Sequence, residues 1–133
     1  MDSLSDQMID LLNYSYKLVL KLLEEQGEFF PIGIYINQHG SLKQRLEFEA
    51  DEFPLSDVLI RQIQDDFGRK LLLGEIIAYS IVYNASITNK KYKEPIDVAI
   101  AKFESKNADS PKACFLPYKI VNGVVQCFEP WLE

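Results

Sequence analysis

The sequence predicts an α+β protein: an antiparallel sheet of five to six strands with two helices, in the order α-β-β-α-β-β-β, with a further strand allowed at the end. Two segments carry apolar residues at three- and four-residue spacing, which is typical of amphipathic helices. The other segments are rich in β-branched and aromatic residues, and turn sequences such as Asn122-Gly123 join them. With 133 residues, the chain is expected to form one domain over residues 1–133.

The first helix is predicted to begin near Ser3, which forms a capping-box pattern with Asp6, and to end at Gly27. Its apolar residues form one stripe: Met8, Leu11, Leu12, Leu18, Val19, Leu22 and Leu23. The second helix is predicted to start at Pro54 and to end near Gly74, with an apolar ladder at Leu55, Leu59, Ile63 and Phe67. We expect the two stripes to cover one face of the sheet.

A hairpin is predicted between the helices. Residues 29–36 are apolar on both faces, which predicts a central strand, whereas residues 42–49 alternate and predict a half-exposed strand. Four further strands are predicted over residues 75–88, 96–104, 112–121 and 124–128. In the first of these, alternation predicts one shared face for Ile77, Tyr79, Ile81, Tyr83 and Ile87. This element order is similar to the roadblock/longin and profilin-like architectures, a similarity that concerns the fold alone.

Four stretches resemble a set of small bacterial proteins without an assigned activity. They read GEFFPIG, AYSIVY, PIDVAI and FLPY, and they span Gly27–Gly33, Ala78–Tyr83, Pro95–Ile100 and Phe115–Tyr118. The resemblance extends over nearly the whole chain, and its motifs are mainly strand cores and turns. It implies a bacterial origin and a stand-alone domain, and it implies no substrate.

The charge distribution limits the classes of partner. The net charge is −6, and the acidic excess lies in the first 70 residues, which hold 13 acidic and 7 basic side chains. Nucleic-acid surfaces need clustered Lys and Arg, so no nucleic-acid partner is expected. The cluster Lys90, Lys91 and Lys93 around Tyr92 is interpreted as a solvated loop. The acidity fits solubility or a basic protein partner equally well.

A cytoplasmic location is expected, with no membrane partner. No stretch reaches the 18 or more apolar residues of a membrane-spanning helix. The first residues are acidic where a secretory signal would be basic. Cys114 and Cys127 are therefore predicted to be free thiols.

No catalytic, metal or cofactor motif is found, so none of these sites is expected. The single histidine, His39, falls in a predicted turn and is interpreted as exposed. The acidic groups Glu24-Glu25-Glu28, Asp51-Glu52 and Asp65-Asp66 are interpreted as solvated helix faces and ends. No glycine pattern for phosphate binding occurs, and Gly33 indicates close approach of a ring or backbone, or a bulge.

Aromatic residues are the candidate contact residues for a ligand or partner. Tyr79, Tyr83, Tyr118, Phe128 and Trp131 are selected because a pocket or protein-binding surface is commonly aromatic. Core packing is the alternative for all five. The last segment, with Trp131, is expected either to fold back onto the core or to remain exposed.

The leading functional hypothesis is a non-enzymatic protein-binding module, like an immunity protein or a secretion chaperone, whose partner is another protein or a second copy of the chain. The alternative is a small-molecule-binding or sensor domain, with a pocket between helices and sheet that includes Tyr79, Ser80 and Asn84. A third hypothesis, an enzyme, requires titratable groups that converge in a cleft with opposed pKa shifts.

Overall fold

The computed structural model describes residues 6–45, 56–106 and 112–133. It has two helices and an antiparallel sheet, which confirms the predicted α+β class. The elements follow the predicted order: α1 (Asp6–Gln26), β1 (Ile32–Asn37), β2 (Leu42–Gln44), α2 (Ser56–Leu73), β3 (Ile76–Ile87), β4 (Ile96–Ser105), β5 (Lys112–Val121), β6 (Val124–Cys127) and β7 (Trp131–Leu132).

The strands form one sheet in the order β2-β1-β3-β4-β5-β6. β1 is internal, as its apolar faces predicted, because β2 and β3 pair with its two sides. Asn122 and Gly123 both have positive φ angles, 52° and 77°, so the β5–β6 turn forms as predicted. β7 pairs with β5 beyond the end of β6, so the C-terminal segment folds back onto the sheet.

The helix α1 forms because its apolar residues lie on one stripe, of which Leu11, Val19 and Leu23 are almost fully buried. Gly27 adopts a φ of 75°, and its N–H donates to the Leu23 carbonyl at 2.9 Å. This left-handed cap ends the helix where the sequence predicted.

The two helices pack on opposite faces of the sheet, so the expectation that they share one face is wrong. The core that contains α1 includes Ile34 of β1 and Val82 of β3. The core that contains α2 includes Ile81 of β3, whose side chain points to the other side of the sheet. A helical stripe shows that a helix buries one face, but it does not show on which side of a sheet the helix lies.

Gly33 allows α2 to approach the sheet closely. A Cβ atom at this position would lie 2.8 Å from Ile63 Cγ2 and 2.8 Å from Phe67 Cζ. The predicted close approach is confirmed, and the approaching group is the ring of Phe67 together with the Ile63 side chain.

An irregularity displaces one residue from its predicted face. The β1–β3 register shifts between Ile36 and Asn37, where Ile36 pairs with Ala78 and Asn37 pairs with Ile76. As a result Ile77 packs with the α1 core, whereas Tyr79 and Ile81 pack with α2. A strict two-residue alternation placed Ile77 on the wrong face, because a bulge inserts one residue.

The rest of the α2 face is covered by loops. Ile96, Val98 and Ile100 of β4 form a third cluster, against which Tyr92 and Phe128 pack. The predicted basic loop holds its shape through Asn89 Oδ1, which accepts the N–H groups of the two residues that follow Lys90 at 2.9 and 2.7 Å.

Several predicted features lie outside the described residues: Ser3, residues 46–49 of the second hairpin strand, Asp51-Glu52, Pro54 and Leu55.

Both cysteines are free in the structure, as predicted; Cys114 is buried and Cys127 is exposed. In the part of the chain that the structure describes, neither helix is long and apolar enough to cross a membrane.

Candidate functional site

One cleft, here called the Tyr118 cleft, opens at the end of the sheet where α1 runs into β1. Its volume is about 310 Å³. Its walls come from the α1–β1 connection and from strands β3, β4 and β5. The lining residues are Gly27, Glu28, Phe29, Phe30, Pro31, Tyr83, Asn84, Asp97, Tyr118 and Ile120.

Local structure explains how these residues meet. The left-handed turn at Gly27 ends α1 and directs the next four residues along one wall of the cleft. On the opposite wall, the β4–β5 register places Asp97 directly across from Tyr118. Asn84 of β3 pairs with Ala99, two residues from Asp97 on the same face of β4.

The floor of the cleft is a hydrogen-bonded pair. The Tyr118 hydroxyl donates to Asn84 Oδ1 at 2.6 Å, and Tyr118 is almost completely buried. Burial, followed by the negative charge of Asp97, raises the pKa of Tyr118 to about 12. The phenol is therefore neutral at physiological pH and holds the Asn84 side chain in place.

The rim of the cleft is apolar and open to solvent. Phe30 is 50% exposed and Ile120 is 39% exposed. Val121 and Val124 of the β5–β6 hairpin are also exposed, at 45% and 60%. Exposed large apolar side chains next to a concave site are a common feature of binding surfaces.

A second pocket, of about 240 Å³, lies beside α2 on the opposite face of the sheet. Tyr79 forms part of its wall, and its ring packs on Phe67 with 5.2 Å between the centroids. The Tyr79 hydroxyl donates to Glu104 Oε2 at 2.7 Å, and burial and this carboxylate raise the pKa of Tyr79. The Tyr79 ring therefore contributes to packing against α2, and its hydroxyl already donates to an acceptor, Glu104.

Of the five predicted contact residues, Tyr83 and Tyr118 line the Tyr118 cleft. The Tyr83 side chain itself packs with the cluster of Ile96, Val98 and Ile100, on the face of the sheet opposite to Tyr118. Tyr79 lies in the second pocket, Phe128 packs edge-on against Tyr92 at 6.4 Å, and Trp131 stacks on Phe115 at 5.2 Å. The five residues therefore do not form one site.

The structure also locates His39 and Ser80. His39 is exposed in the β1–β2 turn, where its backbone N–H donates to Asn37 Oδ1 at 2.9 Å. Ser80, which the ligand-binding alternative placed in a pocket, is fully buried in the sheet and lines neither cavity. Among the described residues, no three His, Cys, Asp or Glu side chains group closely enough to hold a metal ion.

The cleft residues that the sequence interpretation did not identify as contacts include Glu28, Asp97 and Ile120. A signal for two of them was present, because Glu28 lies in the Gly27–Gly33 stretch and Asp97 lies in Pro95–Ile100. All four stretches that carry the resemblance contribute residues to this one cleft. Ile120 lies outside them and carries no sequence signal.

Comparison of this chain with protein families, with curated proteins and with solved structures finds no match.

Proposed function

We propose that the protein is a non-enzymatic protein-binding module that receives its partner at the Tyr118 cleft. The observation that carries the proposal is the combination of a shaped cavity and an exposed apolar rim at Phe30 and Ile120. Protein interfaces have their strongest contacts where a side chain of one partner enters a pocket surrounded by apolar contacts.

The charge of the protein and of its cleft indicates the kind of partner. The net charge of −6 and the two exposed carboxylates of the cleft, Glu28 and Asp97, favour a partner with a basic contact surface. Immunity proteins and secretion chaperones act in this way, by covering the surface of another protein. The bacterial origin implied by the resemblance is compatible with either role.

A small-molecule ligand is the second candidate. The cleft volume of about 310 Å³ lies at the lower end of the range for small-molecule sites. Its polar floor, the Tyr118–Asn84 pair, supplies the fixed groups that such sites use to orient a ligand. This candidate predicts that a purified sample binds a small compound without any protein partner.

A differential capture experiment tests the proposal. Tagged wild-type protein, Phe30→Ser and Leu72→Ser are incubated with lysate of the source organism, and bound proteins are identified by mass spectrometry. Leu72 is the matched control, because it is 88% exposed at the end of α2, away from the residues that line the cleft. A partner retained by wild type and Leu72→Ser but lost by Phe30→Ser supports the proposal. A partner retained by all three, or by none, contradicts it.

A second copy of the chain is the alternative protein partner. In the described part of the chain the sheet ends at β6, whose sequence Val-Val-Gln-Cys has no charge or proline to protect the edge. Pairing of two β6 edges would continue the sheet across a dimer. Light scattering tests this: a wild-type dimer that becomes a monomer in Gln126→Lys supports it, and a wild-type monomer contradicts it.

The cytoplasm remains our proposed location. Two free thiols, one of them exposed, fit a reducing compartment. Fractionation of source cells, with detection of the tagged protein, tests this proposal.

A further inference from the structure

The charged side chains that line the Tyr118 cleft are all of one sign. Among its lining residues, Glu28 and Asp97 are ionisable acids, and no Lys, Arg or His is present. The last turn of α1, which leads into the cleft, contains Glu24 and Glu25 and no basic residue. The cleft and the helical turn that precedes Gly27 therefore carry four carboxylates.

These carboxylates are placed against the helix dipole. The C-terminal end of a helix carries a partial negative charge, so cations stabilise it and acids destabilise it. Three glutamates within or just after the last turn of α1 contradict this preference. Local rules of this kind are commonly broken at functional sites. A cation in the cleft would offset both the carboxylates and the helix end.

The walls of the cleft are suited to an organic cation. Phe29, Phe30 and Tyr118 are among the residues that line it, and aromatic faces attract cationic groups. The negative charge of Asp97 extends to the cleft floor, where it contributes to the raised pKa of Tyr118. A small hydrated metal ion would make no use of these rings, whereas a planar guanidinium stacks on them and binds carboxylates with paired donors.

We infer that the Tyr118 cleft binds a single guanidinium group, presented by an arginine side chain of the protein partner. The inference rests on the proposed function and specifies its partner. A volume of about 310 Å³ admits one long side chain. The exposed Phe30 and Ile120 on the rim are placed to cover the aliphatic stem of that arginine, while the head reaches Asp97 and Glu28.

A direct titration tests the charge recognition. Isotope-labelled protein is titrated with the peptide acetyl-Gly-Arg-Gly-amide and with its citrulline counterpart, which has the same shape but no charge. We expect the arginine peptide to shift the NMR signals of the Asn84 side-chain amide and of Glu28 and Asp97, with a Kd on the order of 1 mM. The citrulline peptide should bind at least about tenfold more weakly, because the carboxylates then have no charged partner. Equal binding of the two peptides would overturn the inference.

Variants locate the site. Asp97→Asn and Glu28→Gln should each weaken binding of the arginine peptide by about three- to tenfold, since each removes one charge. Glu129→Gln is the matched control, because Glu129 is exposed but lies outside the cleft. If Glu129→Gln weakens binding as much as Asp97→Asn, the attraction is unspecific and the inference fails. Tighter binding of the free amine spermidine than of the arginine peptide would also overturn it, in favour of a small-molecule cation.

The capture experiment separates the two proposals. A partner that is lost by Phe30→Ser but retained by the double variant Glu28→Gln/Asp97→Asn leaves the protein-binding function intact and overturns the arginine inference. A partner lost in both supports both proposals.

Discussion

The indole ring of Trp131 lies parallel to the phenyl ring of Phe115, with 5.2 Å between their centroids and 5° between their planes. This stack holds the last strand, β7, against β5, where Trp131 pairs directly with Phe115. The C-terminal segment thus contributes to the packing of the sheet.

Replacement of the indole should detach this strand. We expect Trp131→Ala to lower the free energy of unfolding by about 1–2 kcal/mol, since it removes an aromatic contact and buried apolar area. Trp131→Phe should retain most of the stability because it keeps a ring to stack. Urea unfolding followed by circular dichroism measures both. Equal loss in the two variants would mean that the stack contributes little.

The contact between α2 and the sheet at Gly33 has no room for a side chain. Gly33→Ala should lower the free energy of unfolding by about 1–3 kcal/mol, because the new methyl group collides with the Phe67 ring and the Ile63 side chain. Gly68→Ala is the matched control: Gly68 is exposed on α2 with no atom near its added Cβ, so helix propensity should raise stability by about 0.5–1 kcal/mol. Urea unfolding measures both changes in the free energy of unfolding. Changes of opposite sign would confirm the close approach at Gly33, and changes of equal sign would contradict it.

The floor of the cleft depends on the Tyr118 hydroxyl. Tyr118→Phe should lower the free energy of unfolding by about 1 kcal/mol at neutral pH, because the hydrogen bond to Asn84 is lost. Tyr14→Phe, at a position 40% exposed, should change little.

The same residue has a distinct effect at alkaline pH. Its pKa is about 12 in the folded protein and near 10 in an unfolded chain, so the unfolded state loses this proton first. The stability that neutral Tyr118 contributes is complete below pH 10 and is lost as the pH rises through 12. Wild type should therefore lose stability more steeply than Tyr118→Phe over this range, as measured by urea unfolding at each pH. Parallel profiles would contradict the assignment.

Asp66 links α2 to the end of β2. Its carboxylate lies 3.2 Å from Arg45 Nε, 3.1 Å from Arg69 Nη2 and 3.2 Å from Lys70 Nζ. Burial alone would raise the pKa of Asp66, but the hydrogen bonds from Lys70 and Arg45, and then from Arg69, lower it below its usual value. The prediction that Asp65-Asp66 is only a solvated face is therefore wrong for Asp66.

Asp66→Asn should lower the free energy of unfolding by about 1 kcal/mol at pH 7, a value typical of a partly exposed ion-pair network. Because the folded-state pKa is lowered, this contribution is present above the unfolded value near 4 and is lost as the pH falls through the folded value. The difference between wild type and variant should thus shrink below about pH 4. Asp65→Asn, at an exposed neighbouring position, is the control and should change little.

Ser80 carries a buried hydroxyl in β3 that has no hydrogen-bond partner among the described residues. Ser80→Ala should raise the free energy of unfolding by about 1 kcal/mol, since it removes an unsatisfied polar group. Ser15→Ala is the control, because the equally buried Ser15 hydroxyl donates to the Leu11 carbonyl at 2.7 Å. Thermal unfolding measures the change in stability of both variants. A loss of stability in Ser80→Ala would indicate that the hydroxyl is bonded in solution.

Features set by neighbouring residues were predictable from the sequence. Gly27 ends α1 because it reaches a positive φ without strain, and Asn122-Gly123 forms the hairpin turn for the same reason. The central position of β1 followed from its two apolar faces. Each of these predictions depends on residues close together in the chain.

Features set by long-range geometry were not predictable. The side of the sheet on which α2 lies depends on the path of its connections, so the sequence could not show that Gly33 and Ile34 face different helices. Asn84 and Tyr118 meet because β3, β4 and β5 align in one particular register. Tyr79 was selected for the same reason as Tyr118, but its side chain packs beneath α2.

β3 contributes to both cores, since Val82 packs with α1 and Ile81 packs with α2. Neither helix can separate from the sheet without exposing side chains of this strand. Exchange of its central amide protons with solvent therefore requires disruption of both layers, and these amides should be the last in the molecule to exchange with deuterium. Because Ile81 and Val82 are consecutive residues, a change in the packing of one core lies only one peptide bond from the other core.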